Sequence, residues 1–100
     1  MSAFGSRLKA ARLAAGLSQE QLGIQAGIEE ASASARMNRY ERGTRVPGPE
    51  LVARFGVVLN LPAAYFYAEA DDEAELLAAF HKLPDDGRKR VLAAALKLGK

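Results

Sequence analysis

The chain has no cysteine and no tryptophan, only seven aromatic residues and four prolines in 100 positions, and a single histidine, His81. Without cysteine there is no disulfide, no thiolate nucleophile and no Cys-ligated metal. With one histidine, a zinc or iron site would have to be built from carboxylates, and none cluster at ligand spacing; no metal and no cofactor is expected. No nucleophile–base pair, glycine-rich phosphate loop or carboxylate pair is visible, so no catalytic residue is expected and the chain does not read as an enzyme. No apolar run reaches the length of a membrane-crossing helix, and MSAFGSRLKAARLAAGLSQ lacks the apolar centre of a signal peptide. No segment alternates apolar and polar long enough to make a strand, which leaves an all-α fold. The expectation is a soluble, cytoplasmic protein that contacts no membrane and works by binding.

What is present is consistent with one small core. Of the 49% hydrophobic residues, twenty are alanine, which leaves 29 larger apolar side chains. The net charge of +2 conceals a division along the chain. Residues 1–30 balance to zero, and residues 31–54 carry five arginines against Glu41 and Glu50. Residues 55–81 hold only acids, Glu69 to Glu75, and residues 82–100 hold six bases against Asp85 and Asp86. Four of the bases, Arg36, Arg39, Arg42 and Arg45, fall within ten residues. All are arginine, whose planar fork suits phosphates and guanine edges better than a point ammonium does. A solvated helix face is the plainer reading of the same run.

Helical periodicity divides the chain further. Phe4, Leu8, Ala11 and Ala15 line one face of a first helix, stopped by Gly16. Ser18-Gln19-Glu20-Gln21 reads as a capping box opening a second helix over 18–26 with Leu22 and Ala26 inward. Gly27 ends it. After the polar stretch Glu29 to Ala35, a third helix runs to Arg42, burying Met37 and Tyr40, and is closed by Gly43. A fourth over 49–59 starts at Pro49, and Pro62 opens a short turn ending in Tyr65-Phe66-Tyr67. Asp71-Asp72-Glu73 caps a helix over 72–82, and Pro84-Asp85-Asp86 opens the last one. Gly23 and Gly27, four apart, are the residues that let two short helices cross closely and turn, the pattern of a helix-turn-helix.

The series Arg12 … Gly16-Leu17-Ser18-Gln19-Glu20-Gln21-Leu22-Gly23 … Gly27 … Tyr40-Glu41-Arg42-Gly43 … Pro47 … Leu59-Asn60-Leu61 closely resembles the phage-repressor (Cro/XRE-type) helix-turn-helix family over residues 4–67. The resemblance implies a five-helix repressor-like bundle with the third helix in the major groove of double-stranded DNA. By position, it implies base-edge contacts from Ser34, Ala35, Arg36 and Arg39. It implies phosphate contacts from Ser18, Gln19, Arg42, Thr44 and Arg45, and a structural ion pair between Arg12 and Glu41. The chain departs from the family pattern in one place: twelve residues rather than about eight separate Gly27 from Tyr40. Four residues are about one helical turn, so either the third helix is lengthened at its front or the loop before it is longer. Glu29 and Glu30 should point away from phosphate in either case.

The sequence thus divides into a helix-turn-helix domain over 1–67 and a two-helix C-terminal extension over 68–100. The extension carries apolar stripes, Leu76, Leu77 and Phe80 on one helix and Val91, Leu92 and Leu96 on the other. They must pack back on the bundle or meet a second chain; related regulators use such an appendage to dimerise, and a two-fold dimer would read an inverted-repeat operator. The function implied is a sequence-specific DNA-binding transcriptional regulator, a repressor, acting as a homodimer. The alternative is a protein-interaction module such as an autoregulating antitoxin.

Overall fold

The computed structural model describes residues 3–100, so the expected domain start at Met1 lies outside the described residues. Seven helices make up its regular structure: α1 (Ala3–Ala14), α2 (Gln19–Gln25), α3 (Glu30–Arg42), α4 (Pro49–Leu59), α5 (Ala63–Tyr67), α6 (Asp71–His81) and α7 (Asp85–Leu98). No strand occurs among the described residues, and no helix is long and apolar enough to cross a membrane. The fold is all-α.

The core lies among α1 to α5. Leu8, Leu22, Met37, Val52, Phe55 and Phe66 are its fully buried large side chains. Rings run through it in sequence, Phe4 to Phe66 at 5.8 Å, Phe66 to Phe55 at 6.4 Å and Phe55 to Tyr40 at 6.4 Å. Tilted and edge-on arrangements of this kind suit the ring quadrupoles.

Local chemistry accounts for how the second and third helices meet. The Gln21 amide donates to Ser18 Oγ at 3.0 Å, and the Ser18 amide donates to Gln21 Oε1 at 2.8 Å, closing the capping box. Gly27 adopts φ +93, which a side chain would strain, and the Ile28 amide then donates to the Gly23 carbonyl at 2.9 Å. At the helix crossing, a Cβ on Gly23 would lie 3.0 Å from Ala33 Cβ and 3.1 Å from Met37 Cγ. A side chain there would press on α3, so glycine permits the close crossing.

The structure decides between the two ways of accommodating the extra residues after Gly27. They lengthen α3 at its front: the helix begins at Glu30, not after Ala35. Ala31, Ala33 and Ala35 favour helix, and Ala33 is wholly buried against Gly23, so an extended segment there would forfeit that packing. Glu29 and Glu30 are exposed at the start of α3, where the helix dipole favours acids.

The entry to α6 also differs from expectation. Ala70, rather than an aspartate, holds the capping position, with no side-chain cap. Arg7 of α1 fixes this entry instead. Its Nε donates to the Ala68 carbonyl at 2.9 Å, its Nη2 to the Glu69 carbonyl at 3.1 Å, and its Nη1 pairs with Asp71 Oδ1 at 2.9 Å. From there α6 packs on α5, with Ala74 buried. Arg88 makes the next joint: Nε donates to the Phe80 carbonyl at 3.2 Å, Nη2 to the His81 carbonyl at 2.7 Å, and the guanidinium stands 5.4 Å over the Phe80 ring. Helix α7 itself buries no residue. With the extension included the molecule measures 50 × 26 × 22 Å, and its radius of gyration of 14.9 Å exceeds the roughly 13 Å of a compact chain of this length.

Candidate functional site

Helix α3 is held by a buried ion pair. Arg12 Nε donates to Glu41 Oε2 at 2.7 Å and Nη2 to Oε1 at 3.1 Å, a bidentate arrangement in which Glu41 is only 3% exposed. The third branch of the guanidinium, Nη1, donates to the Leu17 carbonyl at 2.9 Å, and Gln19 Nε2 donates to Glu41 Oε1 at 3.2 Å. One carboxylate thus ties α1, the entry of α2 and the end of α3 together. Gln19 is committed to this brace, and the Ser18 hydroxyl accepts from the Gln21 amide.

Arg54 of α4 adds a second tie, one with no sign in the residues around it. Its Nε donates to the Ala26 carbonyl at 2.6 Å, at the end of α2, and a Cβ on Gly27 would meet it at 3.4 Å. The turn between α2 and α3 is therefore gripped from the far side of the bundle. Nothing local in the sequence marks such a contact, because the acceptor is a main-chain oxygen.

With Ala33, Met37, Tyr40 and Glu41 buried, α3 turns its opposite side outward. At about 100° per residue, that side is Ala35, Asn38, Arg39 and Arg42, with Ser34 at its flank, and all five are exposed. Asn38 is a site candidate that the sequence reading missed, although helical spacing from Ser34 and Arg42 would have found it. Arg36 lies differently from Arg39. It is half-buried, with Nε and Nη2 donating to the Tyr40 hydroxyl at 3.2 and 2.7 Å. It spans one turn of α3, stacked at 5.7 Å over the Tyr40 ring.

Past Arg42 the chain folds back. Gly43 at φ +78 lets the Thr44 amide donate to the Arg39 carbonyl at 3.0 Å, and Thr44 Oγ1 donates to the same oxygen at 3.3 Å. Arg45 is thereby returned beside α3. Arg36, Arg39, Tyr40, Arg45 and Val46 line a concavity of about 310 Å³. Among the described residues, no hydrogen bond or ion pair engages the side chains of Arg39, Arg42 or Arg45. The exposed acids at the start of α3, Glu30 and the capping Glu29, sit at the opposite end, Glu30 about 18 Å of helix from Arg42, and Glu41 is buried and taken by Arg12. The outward side of the C-terminal half of α3 and the loop after it form a cationic surface with no counter-ion to its guanidiniums among the described residues.

The residues expected in the extension are distributed unevenly. Leu76, Leu92 and Leu96 are 55, 55 and 61% exposed, whereas Leu77, Phe80 and Val91 are half-buried.

Residues 3–65 match the family described as a helix-turn-helix domain. Two curated relatives, the uncharacterized HTH-type transcriptional regulator of Sinorhizobium medicae (strain WSM419) and the uncharacterized HTH-type transcriptional regulator R00410 of Rhizobium meliloti (strain 1021), are each 33% identical over 66 residues. Each match covers 66% of this chain and 45% of the relative, so the match spans less than half the length of these proteins. The crystal structure of transcriptional regulator BswR superposes with a TM-score of 0.85 at 41% identity, covering 97% of this chain and 94% of that one. The likeness therefore includes α6 and α7 as well as the bundle.

Proposed function

The chain belongs to the helix-turn-helix domain family, and on that premise we propose that it is a transcriptional regulator, a repressor, that binds double-stranded DNA through α3. One observation carries the reading. The outward face of α3 presents Ser34, Ala35, Asn38, Arg39 and Arg42 beside Arg45 of the following loop, with no counter-ion to these arginines among the described residues, on a helix clamped from behind by Arg12 and Glu41. A rigid helix of this kind can enter the major groove, where Arg39 meets guanine and Asn38 meets adenine in bidentate fashion. Arg42 and Arg45 supply phosphate contacts, as do Thr44 and the exposed Ser18, while Gln19 braces Glu41.

Selection of duplexes from a random pool with the full chain tests this directly. Recovery of a preferred sequence is expected, with binding that falls by about a thousandfold or more between roughly 50 and 200 mM salt; recovery of none defeats the reading. Within the selected site, Arg39→Ala should relax discrimination at one base position by about 1–3 kcal/mol.

A second copy of the chain completes the operator reading. The exposed Leu92 and Leu96 of α7, with no buried residue on that helix, support dimerisation through the extension. A two-fold dimer reads an inverted repeat with half-sites roughly 34 Å apart. Sedimentation equilibrium should give twice the 10.7 kDa of one chain. Leu92→Asp with Leu96→Asp should return it to a single chain and weaken operator binding while leaving the helical content of α1 to α5 unchanged. A wild-type chain that sediments as a monomer at tens of micromolar removes the dimer.

A further inference from the structure

We propose that the concavity between α3 and the loop after it is a seat for one phosphate group, formed by Arg36 and Arg45 with Arg39 at the rim. This deepens the DNA-binding reading and rests on it for the source of the phosphate, the duplex backbone. It also moves Arg36 from the set of base readers to the set of backbone contacts.

The geometry separates Arg36 from its neighbours on α3. Its guanidinium is held by two hydrogen bonds to the Tyr40 hydroxyl and lies over that ring, so it does not extend from the helix tip as a base reader must. Tyr40 is itself fixed, 7% exposed and packed edge-on against Phe55. Arg36 is thus oriented in advance, with no bond from Nη1 among the described residues. Across the cavity, the turn at Gly43 carries Arg45 back beside α3. No acid lines the space. Guanidiniums around a common hollow repel one another, and an anion placed among them relieves that repulsion and receives charge-assisted hydrogen bonds from planar donors suited to phosphate. Val46, 82% exposed, gives the rim an apolar edge against which a deoxyribose can rest. Tyr40 acts here as a positioning residue: it orients Arg36 and need not touch DNA.

The test is a scan of the selected duplex with single methylphosphonate linkages, each of which removes one backbone charge. Wild-type protein should lose affinity at one linkage per half-site by about tenfold or more. In Arg36→Gln and in Arg45→Gln, that linkage should cease to matter while sensitivity at the others persists. Tyr40→Phe keeps the ring in the core and should weaken the dependence on the same linkage. Full sensitivity at every linkage in both Gln variants, or a changed base preference in Arg36→Gln, overturns the assignment. Titration with inorganic phosphate, followed through arginine Nε–H resonances, separates the sources. Shifts at Arg36, Arg39 and Arg45 together with the linkage effect support a backbone phosphate seat. Shifts with a flat linkage scan mean a free phosphate ligand and overturn the backbone form. Absence of shifts overturns the seat itself, even if the protein binds DNA by its α3 face. A protein that selects no duplex sinks the functional reading separately.

Discussion

Replacing Arg12 by alanine should cost the fold about 3–5 kcal/mol, the range for removing one partner of a buried ion pair. The cost comes from what is left behind. Glu41, 3% exposed, keeps only the Gln19 amide, and the Leu17 carbonyl loses its donor. A domain of this size has about 5–15 kcal/mol in total, so urea unfolding of the variant should begin at a far lower concentration than in wild type. Lysine at the position would not rescue it, because an ammonium cannot reach both carboxylate oxygens and the Leu17 carbonyl together. The double change Arg12→Met with Glu41→Leu should recover most of the loss, since well-packed apolar residues often replace a buried pair at little cost. A single variant within about 1 kcal/mol of wild type would show that water reaches Glu41 and that the clamp is weaker than its geometry implies.

The second large effect is expected at Gly5. A Cβ there would overlap the Glu41 carbonyl oxygen and lie 2.9 Å from the carbonyl carbon and 3.1 Å from the Tyr40 oxygen. These are main-chain atoms of α3, unable to rotate aside as a flexible side chain would, so Gly5→Ala must push α1 and α3 apart. A loss of about 3 kcal/mol, the upper part of the usual range for overpacking, should appear in thermal or chemical unfolding. Gly48→Ala is the control, since a Cβ there meets nothing within 4 Å, and at the residue capping α4 it should cost no more than about 1 kcal/mol. Gly5 and Arg12 are seven residues apart, two helical turns on one face. Separation at Gly5 therefore also draws Arg12 away from Glu41, and DNA binding should fall with stability.

These two positions illustrate how differently parts of the structure can be read from the chain alone. The capping box at Ser18 and the turn at Gly27 depend on neighbours within a few residues, and their chemistry is written in order. Gly23 was legible because its helix-turn-helix spacing implies a close approach. Arg12 and Glu41, 29 residues apart, came only through the family resemblance, as nothing in their own surroundings indicates a partner. Gly5 carried no signal, because its constraint is a backbone on another helix. Arg7, Arg54 and Arg88 were hidden for a related reason: their acceptors are carbonyl oxygens, which every residue has. The Arg36–Tyr40 contact could have been inferred from its four-residue spacing within a helix. It was obscured by assigning Arg36 outward and Tyr40 inward as though the two were independent. The start of α3 at Glu30 was one of two open alternatives, because the serines of that stretch are compatible with a loop, and the alanines between them and the packing of Ala33 decide for helix.

The two arginine joints of the extension have a consequence for how the protein tolerates change. Arg7 and Arg88 close most of their contacts on the peptide oxygens of residues 68, 69, 80 and 81. A peptide oxygen survives every amino-acid exchange at its own position, so residues 68, 69 and 81 can drift without dismantling the linkage, whereas Phe80 also gives its ring to Arg88. Susceptibility is concentrated instead in two codons, those of the arginines. In a saturation library, positions 7 and 88 should therefore be less tolerant of exchange than positions 68, 69 and 81.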